Sequence, residues 1–184
     1  MGIVEIESGK KTWVDFKASP YEYIARVKWL PDSRQLSVQT MNRSQTELDL
    51  FFVDRYNGKP SHILKERDEG WVNIHDDLYF LKDGKDFIWA SERDGYEHLY
   101  LFTIEGELLN PITKGKWAIR SSGGGPCWLR QAVAAIDEKN GWIYFTALEK
   151  SSIERHLYRI KFDGSGMQRL TKEDGFHGIT FSQD

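Results

Sequence analysis

The chain has 184 residues, of which 40% are hydrophobic and 14% aromatic, a composition that argues against a disordered protein. Its net charge is −3, and because Lys and Arg are interspersed with Asp and Glu, no basic stripe indicates a nucleic-acid partner. No apolar run approaches the roughly 20 residues of a membrane-spanning helix, and the single cysteine, Cys127, excludes an internal disulfide.

The N-terminal residues predict a hairpin. Residues 3–6 and 12–16 are short strand-like stretches on either side of Ser8-Gly9-Lys10, which suits a turn. After Met1 the sequence goes directly into the first of these stretches, so we expect no signal peptide in this chain.

Three clusters of short strands follow, over residues 22–66, 71–115 and 130–173. Turn pairs such as Asn57-Gly58 and Asn140-Gly141 interrupt the apolar stretches and supply the positive φ that tight hairpins need. The predicted strands lie near residues 23–30, 35–42, 47–54 and 60–66, then 77–82, 86–92, 97–104 and 108–114, then 131–137, 141–148, 155–162 and 167–172. One further strand is predicted within 177–184.

The clusters repeat in sequence as well as in length. His98-Leu99-Tyr100 recurs as His156-Leu157-Tyr158, and Thr113-Lys114 recurs as Thr171-Lys172, in both cases 58 residues later (156 − 98 and 171 − 113). The first cluster is a looser copy. A period of about 50 to 60 residues is near the size of a propeller blade.

The inner strands of the clusters are apolar on both faces, as in Trp142-Ile143-Tyr144-Phe145. In a sheet with one solvent-exposed face, apolar and polar residues should alternate along each strand. Because they do not alternate here, each sheet is expected to lie between two others, as blades do around a propeller axis. We therefore predict an all-β fold, a partial β-propeller of about three four-stranded antiparallel blades in a single domain over 1–184. Half-blade strands are expected at both ends, with 1–16 closing a preceding blade and 177–184 starting a following one. The alternative is a β-sandwich with unusually apolar strands.

No catalytic machinery is evident. A hydrolase nucleophile would need a Gly-x-Ser-x-Gly elbow, which the sequence lacks, and Gly164-Ser165-Gly166 suits a hairpin turn. The five histidines show no metal-ligand spacing, so we predict no catalytic residue, metal or cofactor. Because His98 and His156 occupy equivalent repeat positions, we expect them to cap or pack the third strand of a blade.

Several segments carry a family resemblance: residues 24–29, 70–77, 90–100, 137–145 and 154–158. The most specific is Ser-Glu-Arg-Asp-Gly-Tyr at 91–96, followed by His-Leu-Tyr at 98–100. They resemble the N-terminal propeller of the dipeptidyl peptidase IV family of prolyl oligopeptidase-like serine peptidases, in its bacterial form. The departure is 120–130, a Gly-rich stretch that family members usually lack, which indicates an insertion or an altered segment.

The resemblance implies a parent enzyme that removes dipeptides from peptide N-termini, with Pro or Ala second. In that family the propeller caps a C-terminal α/β-hydrolase domain, which would be this chain's partner together with the peptide substrate. Periplasmic or secreted localisation is implied for the parent. The paired glutamates that bind the substrate amine in the family have no counterpart here, since the sequence has no Glu-Glu pair.

Three functional hypotheses follow. The chain is the non-catalytic propeller portion of such an exopeptidase, gating substrate access and contributing to its pocket; or it is a freestanding propeller-type protein-interaction module; or it is an independent enzyme. An open arc of blades would leave apolar sheet faces and strand edges exposed, so we also expect self-association.

Two groups of residues are candidate sites. The resemblance implies that His75 and Asp76 lie at an outer substrate subsite, and the alternative is a hydrogen-bonded turn that opens the second cluster. Glu92, Arg93 and Asp94 form a charged hairpin tip, either a contact with the hydrolase domain or a solvated turn.

Overall fold

The computed structural model describes residues 1–17, 21–121 and 131–182, and every regular element in these ranges is a β-strand. The strands are β1 (Gly2–Val4), β2 (Lys11–Trp13), β3 (Tyr23–Trp29), β4 (Gln35–Met41), β5 (Glu47–Asp54), β6 (Pro60–Arg67), β7 (Leu78–Phe80), β8 (Asp86–Ser91), β9 (His98–Thr103), β10 (Leu108–Pro111), β11 (Val133–Asp137), β12 (Trp142–Ser151), β13 (Glu154–Lys161) and β14 (Gln168–Arg169). Cys127 and most of the Gly-rich 120–130 stretch lie outside the described residues.

The strands form one hairpin and three four-stranded antiparallel sheets. β1 pairs with β2, and β3–β6, β7–β10 and β11–β14 each form a meander in which every strand pairs with its sequence neighbour. We call the three sheets the first, second and third blades. The N-terminal hairpin and the three predicted strand clusters are thereby confirmed.

Turn glycines permit the tight connections. Gly58, between β5 and β6, has a φ of 68°, and a Cβ added there would lie 2.3 Å from the carbonyl oxygen of Trp13. Only glycine allows both this conformation and this close approach of the hairpin to the first blade.

Residues Met1–Asn73 and Ile74–Asp184 form two compact units. In the first unit, Phe16 packs edge-on against Phe51 at a ring distance of 5.3 Å, and Val38 and Val53 complete a buried cluster with residues of the hairpin. The prediction that 1–184 is a single domain stays a prediction.

The core of the second unit lies between the second and third blades. Ile88 and Leu99 from one blade and Ile143, Phe145 and Tyr158 from the other share one cluster, and each is at most 1% exposed. Burying each such side chain stabilises the fold by about 1.5–3 kcal/mol.

The middle strands of the second blade are buried on both faces, as predicted: five of the six residues of β8 and five of the six of β9 are buried. In the third blade the prediction is wrong for Trp142–Phe145 of β12, where Ile143 and Phe145 are buried and Trp142 and Tyr144 are only half-buried.

Three elements differ from the prediction. The fourth strands β10 and β14 end early, at Pro111 and Arg169, where the N–H groups of Leu99 and Leu157 donate to threonine side chains instead of to a backbone carbonyl. Residues 177–182 form no strand, since this stretch has no ladder partner among the described residues. The nearest pairing is a single parallel bridge between Arg155 and Phe176.

Candidate functional site

His75 lies just before β7 and is buried, with 6% of its surface exposed. Its ring meets the indole of Trp89 edge-on, with centroids 4.4 Å apart and an interplanar angle of 67°. This geometry is that of a packed aromatic pair. His75 therefore fixes the segment that leads into the second blade, and its contact with a substrate stays a prediction.

Asp76 is half-buried, and its carbonyl oxygen accepts the Leu78 N–H at 3.0 Å. This bond is made by the backbone of Asp76, so both the turn held by its side chain and its contact with a substrate stay predictions. The side chain of Asp76 is close enough to Asp77 to raise the pKa of that carboxyl group.

Asp77 is a buried hydrogen-bonding residue that the sequence pattern did not single out. It is 1% exposed, and its carboxylate accepts the backbone N–H groups of Ala132 at 2.8 Å and Val133 at 3.1 Å, where the chain enters β11. The Tyr79 hydroxyl donates a third hydrogen bond at 3.0 Å. Asp77 thus joins the start of β7, the first strand of the second blade, to the start of β11, the first strand of the third blade.

The environment of Asp77 sets its charge. Burial raises the pKa of this carboxyl group to about 6, while the bonds from the two amides and from Tyr79 act in the opposite direction and hold the ionised form. Burial and the adjacent Asp77 carboxylate together raise the pKa of the Tyr79 phenol far above its usual value, so Tyr79 remains a donor. The pattern of an Asp directly before Leu78-Tyr79-Phe80, a short apolar strand, was the available sequence signal.

The charged tip Glu92–Asp94 connects β8 to β9, and all three residues are exposed. Arg93 folds back over its own blade: its Nε donates to Ser91 Oγ at 3.0 Å, and its guanidinium lies 4.9 Å from the Tyr100 ring centroid. Asp94 accepts the Tyr100 hydroxyl at 2.7 Å. Arg93 and Asp94 therefore order the hairpin, and contact with another domain stays a prediction.

His98 forms a buried hydrogen-bonded unit that we call the His–Thr clasp. Thr113 Oγ1 accepts the Leu99 N–H at 2.9 Å and lies 3.0 Å from His98 Nδ1, while the Gly115 carbonyl lies 3.0 Å from Nε2. Because a carbonyl only accepts, Nε2 carries the proton and Nδ1 accepts the Thr113 hydroxyl. Burial lowers the pKa of His98, which favours this neutral ring.

The clasp recurs in the third blade, 58 residues later in sequence. Thr171 Oγ1 lies 2.9 Å from His156 Nδ1 and accepts the Leu157 N–H at 3.2 Å, and Glu154 takes the place of the carbonyl at Nε2. The geometry supports the structural role expected for both histidines.

Neither a metal centre nor a membrane span emerges from the described residues. No group of three or more His, Cys, Asp or Glu side chains in these ranges is arranged to hold a metal ion. The same ranges contain no helix that could cross a bilayer.

Comparison with known proteins gives consistent matches. The family model described as dipeptidyl peptidase IV N-terminal region matches residues 1–184. The chain is 30% identical over 175 residues to the "Probable dipeptidyl-aminopeptidase B" of Tuber melanosporum, covering 87% of this chain and 18% of that protein. It is 27% identical over 190 residues to a dipeptidyl peptidase 4 of Arthroderma otae, covering 98% of this chain and 23% of the relative. It therefore spans about a fifth of the length of these relatives.

The fold has a counterpart among solved structures. The crystal structure of Porphyromonas gingivalis dipeptidyl peptidase 4 superposes with a TM-score of 0.77 and 24% identity, over 95% of this chain and 23% of that one. This likeness confirms the partial propeller.

Proposed function

The chain belongs to the dipeptidyl peptidase IV N-terminal region family, and from this premise we propose that it is the non-catalytic propeller portion of a larger serine exopeptidase of that type. In this proposal the blades gate substrate access and contribute to the pocket, and the partner is a C-terminal α/β-hydrolase domain. The observation that carries the proposal is the family match over residues 1–184 combined with coverage of only 18–23% of the named relatives.

The experiment that tests the proposal compares two proteins. The 184-residue chain should not hydrolyse a Gly-Pro chromogenic substrate, because the sequence has no Gly-x-Ser-x-Gly elbow to present a nucleophile. The product of the whole reading frame should hydrolyse it and lose activity with a serine-directed inhibitor. Serine-dependent hydrolysis by the chain alone would overturn the proposal, and a reading frame that ends at Asp184 would favour the freestanding interaction module.

The proposed pocket role is tested at Asp76, because replacing the buried His75 would also disturb its packing on Trp89. We expect Asp76→Asn in the full-length enzyme to raise KM with little change in kcat, since a lost ground-state contact changes binding alone. Asp83→Asn, in the exposed turn between β7 and β8, is the matched control. An unchanged KM for Asp76→Asn would remove this residue from the pocket.

The proposed domain contact is tested at the hairpin tip. Glu92→Lys reverses a charge between β8 and β9, whereas Glu105→Lys reverses one between β9 and β10, at the opposite end of the same blade. If the tip meets the hydrolase domain, only Glu92→Lys should lower the temperature at which the full-length enzyme loses activity. Equal effects would indicate a solvated turn.

A further inference from the structure

The first strand of the third blade, which pairs with β12, is assembled from two separate stretches of chain. β11 begins at Val133, which pairs with Phe145 of β12. Further along β12, Ala147 forms an antiparallel bridge with Ile119, a residue fourteen positions before Val133 in the sequence (133 − 119). Both stretches therefore lie along the same side of β12.

Thr146, between these two pairings, is shared by two residues. The Arg120 N–H donates to the Thr146 carbonyl at 2.8 Å, and the Thr146 N–H donates to the Ala132 carbonyl at 2.9 Å. In a regular antiparallel ladder, a single residue on the neighbouring strand would both donate to the Thr146 carbonyl and accept from the Thr146 N–H. Where two residues of one strand lie opposite a single residue of its neighbour, the ladder contains a β-bulge. Arg120 and Ala132 together fill one such position.

Side chains hold both ends of the interruption. The Thr146 hydroxyl, buried in β12, is directed at the carbonyl oxygens of Arg120 and Ala132, with 3.3 Å to the latter. The Arg155 guanidinium donates to the Ser121 carbonyl at 2.7 Å. The chain thus leaves the strand and returns to it at a single rung of the ladder.

We propose that residues 121–131 are an insertion at this rung, and that the third blade folds without them when Arg120 is joined directly to Ala132. The joined residues would form a bulge opposite Thr146 and leave the pairings of Ile119 and Val133 in place. Because the blade already brings the two ends together, the length of the segment should affect stability only weakly. The inference does not depend on the proposed function.

Two variants of the 184-residue chain test it. One lacks residues 121–131, and the other replaces them with eleven alternating Gly and Ser residues, which removes the sequence and keeps the length. Both should unfold cooperatively within about 4 °C of the wild-type Tm, a shift that corresponds to roughly 1 kcal/mol in a chain of this size. The control replaces residues 132–142, which contain β11, with the same linker and should lose the native transition.

The results for the deletion and for the linker variant together decide whether residues 121–131 are an insertion. If the deletion shifts the Tm by more than about 4 °C while the linker variant keeps it, Arg120 and Ala132 cannot be joined directly at this rung and the inference of an insertion there is wrong. If both variants shift by more than about 4 °C or lose cooperativity, residues 121–131 are part of the blade's fold and the inference is wrong.

Discussion

Replacing Asp77 with asparagine keeps the shape of a buried side chain and removes its titration. The carboxyl group has a pKa of about 6 in the folded chain, against an ordinary value of 3.8. Between these two pH values the folded chain holds a proton at Asp77 that the unfolded chain has released. The contribution of Asp77 to the free energy of unfolding therefore decreases as the pH rises.

The magnitude follows from the difference between the two pKa values. About two units correspond to roughly 3 kcal/mol. This stabilisation is fully present below pH 3.8 and is lost as the pH rises through about 6. Asp77→Asn cannot titrate, so its stability should lack this component, and the difference between the two proteins should change by up to about 3 kcal/mol across this range.

Urea denaturation followed by tryptophan fluorescence measures the effect. The free energy of unfolding is determined from pH 4 to pH 8 for the wild type, for Asp77→Asn and for Asp83→Asn. Asp83 lies in the exposed turn between β7 and β8, where it accepts the Lys85 N–H at 3.0 Å. Because Asp83 is exposed and Asp77 is buried, the Asp83→Asn profile should run parallel to that of the wild type.

Two outcomes would refute the reasoning. Parallel profiles for wild type and Asp77→Asn would mean that the pKa of Asp77 does not differ between the folded and the unfolded chain. A wild type that gains stability relative to Asp77→Asn as the pH rises would mean that the bonds from Ala132, Val133 and Tyr79 outweigh the effect of burial.

Four further outcomes are expected. Asp77→Ala should cost about 2–6 kcal/mol in urea denaturation, because two buried amides each lose their acceptor at about 1–3 kcal/mol; a loss below 1 kcal/mol would contradict this. Gly58→Ala should lower the Tm more than Gly84→Ala, because both have positive φ but only Gly58 would bring a Cβ against backbone, and equal shifts would count against the close approach. Thr113→Val should destabilise by about 1–3 kcal/mol by leaving the Leu99 amide without its acceptor, and Thr113→Ser should recover most of the loss. Because Val27 and Trp29 of β3 are 48% and 47% exposed, we expect self-association at micromolar concentration, and a monomer in light scattering would contradict it.

The strands could be predicted because their signals are local. Asn57-Gly58 and Asn140-Gly141 mark hairpins, and the unbroken apolar run from Trp142 to Phe145 marks a strand, although only Ile143 and Phe145 of this run are fully buried. The equivalence of His98 and His156 could be read from their common spacing, and it correctly suggested a structural role.

The bonds of Asp77 could not be predicted in the same way. The Ala132 amide that Asp77 accepts lies 55 residues away along the chain. Because nearly every residue has a backbone N–H group, the sequence does not indicate which of them is the partner. The stacking of Arg93 on Tyr100 likewise depends on the register of β8 against β9. From its charge alone, the Arg93 side chain would be predicted to extend into solvent. Contacts of this kind follow from the packing of the blades.

The His–Thr clasp has a consequence for the outer margin of the blades. Where β10 ends at Pro111, the Leu99 amide would face outward as a free donor, which is the group that an incoming strand from another molecule needs to extend a sheet. Thr113 occupies that donor, and Thr171 does the same for Leu157. The clasp therefore closes the rim of each of these blades against cross-β aggregation at the point where backbone pairing stops.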